Sequence, residues 1–192
     1  RPAPLDDAEM APMLGPDGRP ITVRRGWYDT EALAEDGGTL WVGMERAHEI
    51  FRFDYGRDGL QARGQPVALP LGVKGLPNNK GIECLAAPAR GQPLAGMLIA
   101  ISERGLDRAG NIIGFLIGAR GGTFSLKRTD EFDVSDCAIT PRGDLLILER
   151  RFSWTRGLAV RIRRVPLSRV APRALLGGPG ITFAAMGHQV DN

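Results

Sequence analysis

The amino-acid sequence predicts an all-β fold. Short runs rich in Val, Ile, Leu and Phe recur along its 192 residues, and Gly, Pro or Asp bounds each run, as is typical of strands joined by turns. The sequence pattern of an amphipathic helix does not occur. The span within residues 5–14 is helix-like, but Pro12 weakens it because proline interrupts helical hydrogen bonding. A third observation, an internal repeat, predicts the architecture within the all-β class.

The repeat begins at an acidic residue and has a period of about fifty residues. Glu31, Glu83 and Asp136 each open a short segment of small and apolar residues, namely TEALAE, IECLAA and SDCAIT. Cys84 and Cys137 occupy matching positions one residue later. A carboxylate at the start of an apolar strand is unusual, and its recurrence indicates a shared role.

Three further strands are predicted after the acidic segment of each repeat. The second strand ends in Glu-Arg, in TLWVGMER, GMLIAISER and LLILER, so that three pairs align: Glu45-Arg46, Glu103-Arg104 and Glu149-Arg150. Third strands are predicted within EIFRFDY, NIIGFLIGA and LAVRIRRVPL, and fourth strands within QPVALPL, GTFSLKRTDEF and RALLGGPGITFAAM. Each repeat is therefore expected to form four strands.

Four strands in about fifty residues is the size of one β-propeller blade. The sequence thus predicts a propeller segment of three four-stranded blades, half of a six-bladed ring, with approximate repeats at 29–78, 79–132 and 133–190. A solenoid of strands and helices is disfavoured because amphipathic helices are lacking. A sandwich or barrel remains an alternative, although neither calls for a repeat of this length.

Three blades do not close a ring. GRPITVRRGW, ahead of the first repeat, is expected to be the outer strand of a preceding blade, and the final HQVDN resembles the approach to another acidic position. The remaining blades of a longer chain, or a second copy, are therefore expected to complete the ring.

The charge balance is mild. The chain has 25 Lys and Arg residues against 22 Asp and Glu residues, which points neither to nucleic acid nor to an anionic membrane surface. No segment approaches the roughly 18 apolar residues of a membrane span. The two cysteines form no CxxC motif and no Cys/His cluster, so zinc or iron–sulfur chemistry is disfavoured. Two buried free thiols are the favoured interpretation, with a disulfide as the alternative.

Several long segments are similar to one known family. PNNKGIECLA, GMLIAISER, TDEFDVSDCAITPRGDLLILERRFSWTRGLAVRIRRV and the closing HQVDN resemble the phytase-like domain of bacterial proteins described as having esterase-like activity of the phytase family. The resemblance covers residues 8–192. It implies a β-propeller, export to the periplasm or the medium, and hydrolysis of phosphate or related esters with calcium held by carboxylates.

The first strand of each propeller blade lies closest to the central channel, so Glu31, Glu83 and Asp136 are expected to converge at one mouth of it. Clustered carboxylates repel one another and need protons, arginines or a cation beside them. Calcium suits this arrangement because it takes six to eight oxygen ligands, and Asn79 would add an amide oxygen. A bound dication would polarise a phosphate and activate water, with Glu83 as the catalytic carboxylate.

Positive residues near this mouth are candidates for contact with a small anionic ester. Lys80, together with Arg104 or Arg46, is predicted to orient the anion. Ser102 and Ser153 lack the G-x-S-x-G context, so the sequence gives no support for a serine esterase of the α/β-hydrolase type.

A structural interpretation competes with the catalytic one. Each acidic residue can instead accept backbone hydrogen bonds or pair with an arginine of the next blade, as buried charges usually do. The repeated Glu-Arg pairs are interpreted in this way. Arg161 and Arg163 are interpreted as part of a solvated edge strand, and Trp154 as either a pocket wall or a turn anchor. The alternative function is therefore a non-catalytic propeller that binds a ligand or a protein.

Overall fold

The computed structural model describes residues 12–21, 29–155, 157–178 and 180–186. Within these ranges the chain is mostly β, which confirms the predicted class, and its strands form three sheets that follow one another along the sequence. The predicted helix-like span falls largely outside these ranges, as do most of GRPITVRRGW and all of HQVDN.

Sheet 1 has the strand order β1-β2-β3-β4. Its strands are β1 (Thr30–Asp36), β2 (Thr39–Met44), β3 (Glu49–Asp54) and β4 (Gln65–Pro66). Gly37 and Gly38 form the tight turn between β1 and β2, both with positive φ, as a two-residue hairpin of this kind requires. Two short helices, α1 (Tyr55–Asp58) and α2 (Leu71–Lys74), flank β4 along the chain. The fourth strand predicted in QPVALPL is therefore present, but it is only two residues long.

Sheet 2 consists of four antiparallel strands in chain order and a fifth strand from further along the chain. The four are β5 (Ile82–Ala86), β6 (Leu98–Leu106), β7 (Ile112–Ile117) and β8 (Gly122–Leu126). The fifth, β12 (Leu175–Leu176), pairs with β8 in parallel.

Sheet 3 has the strand order β13-β11-β10-β9. Its strands are β9 (Asp133–Ile139), β10 (Asp144–Ser153), β11 (Gly157–Pro166) and β13 (Gly180–Met186). The fourth strand predicted for the third repeat is thus divided between β12 in sheet 2 and β13 in sheet 3. Gly178 lies between the two, with a φ of 154° that other residues rarely adopt.

Sheet 2 is buried on both faces, which explains the apolar run LIAI in β6. Successive side chains of a strand point to opposite faces. Leu98 and Ala100 pack in one core with residues of β1 and β3, whereas Ile99 and Ile101 pack in a second core with residues of β10 and β11. A third cluster packs sheet 1 against side chains of the segment 12–21.

A disulfide between Cys84 of β5 and Cys137 of β9 joins sheets 2 and 3, with Cα atoms 5.2 Å apart. The interpretation of these residues as free thiols is therefore wrong. The physical reason is that β5 and β9, the first strands of their sheets, lie side by side, so cysteines one repeat apart can meet.

The first strand of each sheet bulges where it pairs with the second. The pairing skips Glu31 in β1, Glu83 in β5 and one residue, Ser135, in β9. A bulge leaves one residue unpaired and reorients its side chain. By strand register, Ser135 corresponds to Glu83, whereas Asp136 lies opposite Leu148 one position further on. The third repeat therefore differs by one residue from the alignment of acidic positions in the sequence.

The same offset affects the Glu-Arg pairs. In sheets 1 and 2, Glu45 and Glu103 come directly after the second-strand residue that pairs just before the bulge. In sheet 3 the residue at that position is Arg150. Glu149 corresponds instead to Met44, one position earlier, where side chains turn toward the sheet interior.

Glu149 is fully buried and held by two arginines of β11. Arg161 and Arg163 each donate to both of its carboxylate oxygens, at 2.9–3.1 Å. Their remaining nitrogens donate to the segment after β8, from Arg161 to the Thr129 hydroxyl at 3.0 Å and from Arg163 to the Lys127 carbonyl at 2.9 Å. The interpretation of these arginines as part of a solvated edge is wrong, because they are 7% and 2% exposed and bridge sheets 2 and 3.

Candidate functional site

Five carboxylates of sheets 1 and 2 form what we call the acidic cluster: Asp29, Glu31, Glu45, Glu83 and Glu103. They make two groups of three that share Glu45, and the carboxylate oxygens of each group lie within 4.8 Å of one another. Glu45, Glu83 and Glu103 are buried, whereas Glu31 is exposed. Carboxylates this close repel one another. Either a cation lies beside them or at least one of them binds a proton.

The bulges position this cluster. Glu31 and Glu83 are the bulged residues of β1 and β5, which lie side by side. Glu45 and Glu103 approach from the second strands. The backbone N–H of Glu45 donates to the carbonyl of Asp29 at 2.9 Å, and Glu103 makes the equivalent bond one repeat later. The same local geometry, repeated in adjacent sheets, thus brings side chains distant in sequence together.

The electrostatics of the cluster favour bound protons or cations. Burial, together with repulsion from Glu103 and other carboxylates of the cluster, raises the pKa of Glu83 from 4.5 to about 7, while Arg150 acts in the opposite direction. Burial also raises the pKa of Glu31, and its hydrogen bond with Asp29 adds to this effect. At neutral pH the Glu83 carboxyl is therefore only partly ionised when the site holds no other cation.

We expect the free energy of unfolding of the metal-free protein to carry a contribution from Glu83 that falls as pH rises. The Glu83 carboxyl binds its proton more tightly in the folded chain, with a pKa of about 7, than in the unfolded chain, with a pKa of 4.5. Its stabilising contribution is therefore complete below pH 4.5 and is lost by about pH 7. With allowance for solvent screening, the loss is about 2–3 kcal/mol.

Urea unfolding in a chelator at several pH values measures this dependence. Glu83→Gln is expected to flatten it, because the amide does not titrate, and to be more stable than the parent at pH 8. Asp136→Asn, a change at an exposed carboxylate, is the matched control and should keep the slope. An unchanged slope in Glu83→Gln would contradict the expectation.

Three basic side chains partly neutralise the cluster. Lys80 donates to both carboxylate oxygens of Glu103, at 2.9 and 2.8 Å. Arg150 also approaches Glu103, with 3.6 Å between Nη2 and Oε1, and Arg46 Nε lies 2.6 Å from Asp29 Oδ2. Among the residues that the structure describes, three cations against five carboxylates leave the cluster with a negative balance when all groups are ionised.

The structure brings together two of the four residues predicted as metal ligands. Glu31 and Glu83 both belong to the acidic cluster. Asp136 lies exposed on β9, where its Oδ1 accepts the backbone N–H of Cys137 at 2.7 Å, and it is outside both carboxylate groups identified within the described ranges. Asn79 lies in the exposed turn ahead of β5, with a φ of 54°.

The residues predicted to contact an anion are already engaged in ion pairs. Lys80 is held by Glu103 and keeps 35% of its side chain exposed. Arg104 donates through two nitrogens to Asp133, at the start of β9, and Arg128 pairs with the other oxygen of that carboxylate at 3.0 Å. Contact between Arg104 and a substrate would therefore require this network to open.

Two of the three Glu-Arg arginines bridge neighbouring sheets, as the structural interpretation predicts. Arg104 and Arg150 each pair with a carboxylate across the boundary between sheets 2 and 3. Arg46 pairs with Asp29, which directly precedes β1 in sheet 1.

Sequence reasoning did not assign Asp29, Glu45, Glu103 or Arg150 to the site. The signal for Glu45 and Glu103 was present, since both stand at the end of the second predicted strand of their repeats. Their repetition beside an arginine in all three repeats favours the ion-pair interpretation, so the sequence alone does not place them in the site. Neither Asp29 nor Arg150 could be recognised without the register of the bulges.

Comparison with known families identifies the chain. Residues 1–185 match the family model called Phytase-like, which is described as esterase-like activity of phytase. The chain belongs to the phytase-like family. This membership suggests an esterase-like hydrolase function. A comparison with curated proteins gives no match.

The acidic cluster of this phytase-like protein can hold a metal ion. Its donors are all carboxylate oxygens, which suit hard cations such as calcium and magnesium. The raised pKa of Glu83 shows a carboxylate whose ionised form lacks sufficient compensation, and a bound cation would supply it. Within the described ranges, no helix is long and apolar enough to cross a membrane.

Proposed function

We propose that this protein is a metal-assisted hydrolase of phosphate esters or related esters, with calcium held by the acidic cluster. The observation that carries the proposal is the group formed by Glu45, Glu83 and Glu103, three buried carboxylates whose oxygens lie within 4.8 Å of one another. Membership of the phytase-like family supports hydrolysis as the reaction class.

We also propose that the three sheets are blades of a β-propeller, half of a six-bladed ring closed by further blades or by a second copy. Support comes from the in-order antiparallel strands of each sheet and from the contacts of β5 with both β1 and β9. The disulfide supports export to an oxidising compartment such as the periplasm or the medium.

The proposed site divides its work among a few side chains. Glu31, Glu45, Glu83 and Glu103 hold the ion, which when bound supplies positive charge for the phosphate and lowers the pKa of water. Glu83 is also the carboxylate that is proposed to accept a proton from the attacking water.

Basic side chains at the edge of the cluster bind the anionic group of the ester. Lys80 keeps its position through Glu103 and remains partly exposed. Arg150 is 55% exposed, and its ion pair among the described residues is a long contact to Glu103, so it can turn toward a phosphate at smaller cost than Arg104.

The test compares Glu83→Gln with Asp136→Asn in the full chain. Calorimetric titration with calcium is expected to show binding to the parent, weakened by at least about tenfold in Glu83→Gln, because even residues that only support ligands are worth 10- to 100-fold. Asp136→Asn should bind within about twofold of the parent, since this exposed residue is outside the carboxylate groups. Release of phosphate from 4-nitrophenyl phosphate should follow the same order and stop in chelator.

Failure of the parent to bind calcium or other divalent cations, together with inertness toward phosphate and carboxylate esters, would overturn the proposal. The cluster and its basic partners would then be structural, as in the non-catalytic alternative that binds a ligand or a protein.

A further inference from the structure

The hairpin of β10 and β11 carries an exposed aromatic pair just past Arg150, which approaches the acidic cluster. Phe152 is 65% exposed and Trp154 is 87% exposed, and their rings contact edge to face with centroids 5.4 Å apart. Leu158, directly opposite Phe152 in the strand register, is also exposed. Large apolar side chains grouped in water are costly to solvate and commonly mark a binding surface.

The hairpin projects past the first strand of its sheet. Arg150 pairs with Asp133, the first residue of β9, so β10 continues beyond this point paired only with β11 on its other side. The aromatic pair therefore stands clear of the body of sheet 3, next to the position from which Arg150 approaches Glu103.

Arg150 and Phe152 lie on the same side of the hairpin, and Trp154, in the turn directly after β10, contacts Phe152. Side chains two residues apart on a strand share a side. The intervening Arg151 points the other way, over the ring of Phe132 at 5.0 Å. At about 3.3 Å per residue, Phe152 follows Arg150 at roughly 7 Å along β10, and the ring of Trp154 lies 5.4 Å from that of Phe152. The guanidinium group of Arg150 and the two aromatic rings are thus close enough for one small molecule to contact both.

We infer that Arg150, Phe152 and Trp154 form the specificity surface of the proposed hydrolase, and that its substrates are esters joining an anionic group to a planar apolar alcohol, such as aryl phosphates. The inference rests on the proposed function. In the reaction, water adds its oxygen to phosphorus and loses a proton to Glu83, while the bond between phosphorus and the aryl oxygen breaks. The aryl oxide leaves with the electron pair of that bond and takes a proton from solvent, and Glu83 returns its proton to solvent.

The size of the surface favours a small molecule over a protein partner. Aromatic side chains bury about 150–250 Å² each, so this pair offers far less than the roughly 1,000 Å² that a stable protein interface needs. The neighbouring Arg150 and the acidic cluster also supply the polar contacts that an anionic ester requires, whereas a purely apolar partner would leave them unused.

Binding of phenylphosphonate, which cannot be hydrolysed, tests the inference by calorimetry in calcium buffer, with methylphosphonate as the ligand without a ring. Trp154→Ala and Phe152→Ala are each expected to weaken phenylphosphonate about three- to tenfold and to leave methylphosphonate within about twofold. Trp154→Phe should retain most of the affinity. Leu71→Ala, a change at a 91% exposed leucine of α2, is the matched control and should alter neither ligand.

Equal affinity of the parent and Trp154→Ala for phenylphosphonate, or no binding by the parent, would overturn the inference. So would a self-association, seen by sedimentation, that Trp154→Ala abolishes while phenylphosphonate binding is unchanged, because the pair would then contact a second copy.

Ring-dependent binding without hydrolysis of any ester would refute the proposed function and leave the binding surface supported. Hydrolysis of aryl and glycerol phosphates with KM values insensitive to both aromatic substitutions would refute this inference alone.

Discussion

Glu149→Ala is expected to lower the free energy of unfolding by about 3–5 kcal/mol, because it leaves two buried guanidinium groups without their shared carboxylate. Glu149 is fully buried, and Arg161 and Arg163 have almost no access to solvent that could replace it. Urea unfolding followed by circular dichroism measures the loss.

Arg164→Ala provides the matched control in the same strand. Arg164 also pairs with a carboxylate, Asp144, at 2.8 Å, but 69% of its side chain is exposed. Its removal should change stability by less than about 1 kcal/mol, as is usual for surface ion pairs. Similar losses in the two variants would show that burial does not distinguish these ion pairs. If Glu149→Ala is too unstable to purify, Glu149→Gln, which keeps an acceptor for the arginines, should give a smaller but measurable loss.

Reduction of the disulfide between Cys84 and Cys137 is expected to lower the free energy of unfolding by about 2–4 kcal/mol. The bond closes a loop across a sequence separation of 53 residues, so its removal returns considerable freedom to the unfolded chain. Unfolding midpoints with and without a thiol reductant measure the effect.

The double variant Cys84→Ala, Cys137→Ala separates the disulfide from other actions of the reductant. It should match the reduced parent to a first approximation and show no further response to reductant. An oxidised parent no more stable than this variant would contradict the expectation. The reduced parent should also bind calcium more weakly, since Cys84 directly follows Glu83 in β5 and the bond holds β5 against β9.

Local sequence patterns predicted the first three strands of each sheet well, because burial and alternation are properties of each strand itself. The run LIAI in β6 is apolar because both faces of sheet 2 are covered, and this is visible in the sequence. The two-residue strands β4 and β12 lie within segments predicted to hold fourth strands, but their short length and the sheet to which β12 belongs could not be predicted. Their existence depends on partners elsewhere in the chain rather than on their own composition.

The candidate site was predicted in part for a related reason. The recurrence of Glu31 and Glu83 in the sequence identified two members of the acidic cluster. The third repeat is offset by one residue at its bulge, and such a shift exchanges the sides on which side chains lie. Glu149 therefore enters the interior, while Arg150 takes the place that Glu45 and Glu103 hold in the other sheets. Residue spacing alone cannot reveal which strand carries the offset.

The position of β12 has a consequence for synthesis of the chain on the ribosome. Backbone bonds from Ser125 to Ala174 and from Lys127 to Leu176 close the outer edge of sheet 2, although β12 comes after β11 of sheet 3 in the sequence. A nascent chain that has completed β8 must therefore wait for about fifty more residues before that edge is paired, and an unpaired edge invites association with other chains. The two sheets are thus expected to mature as one cooperative unit rather than one after the other.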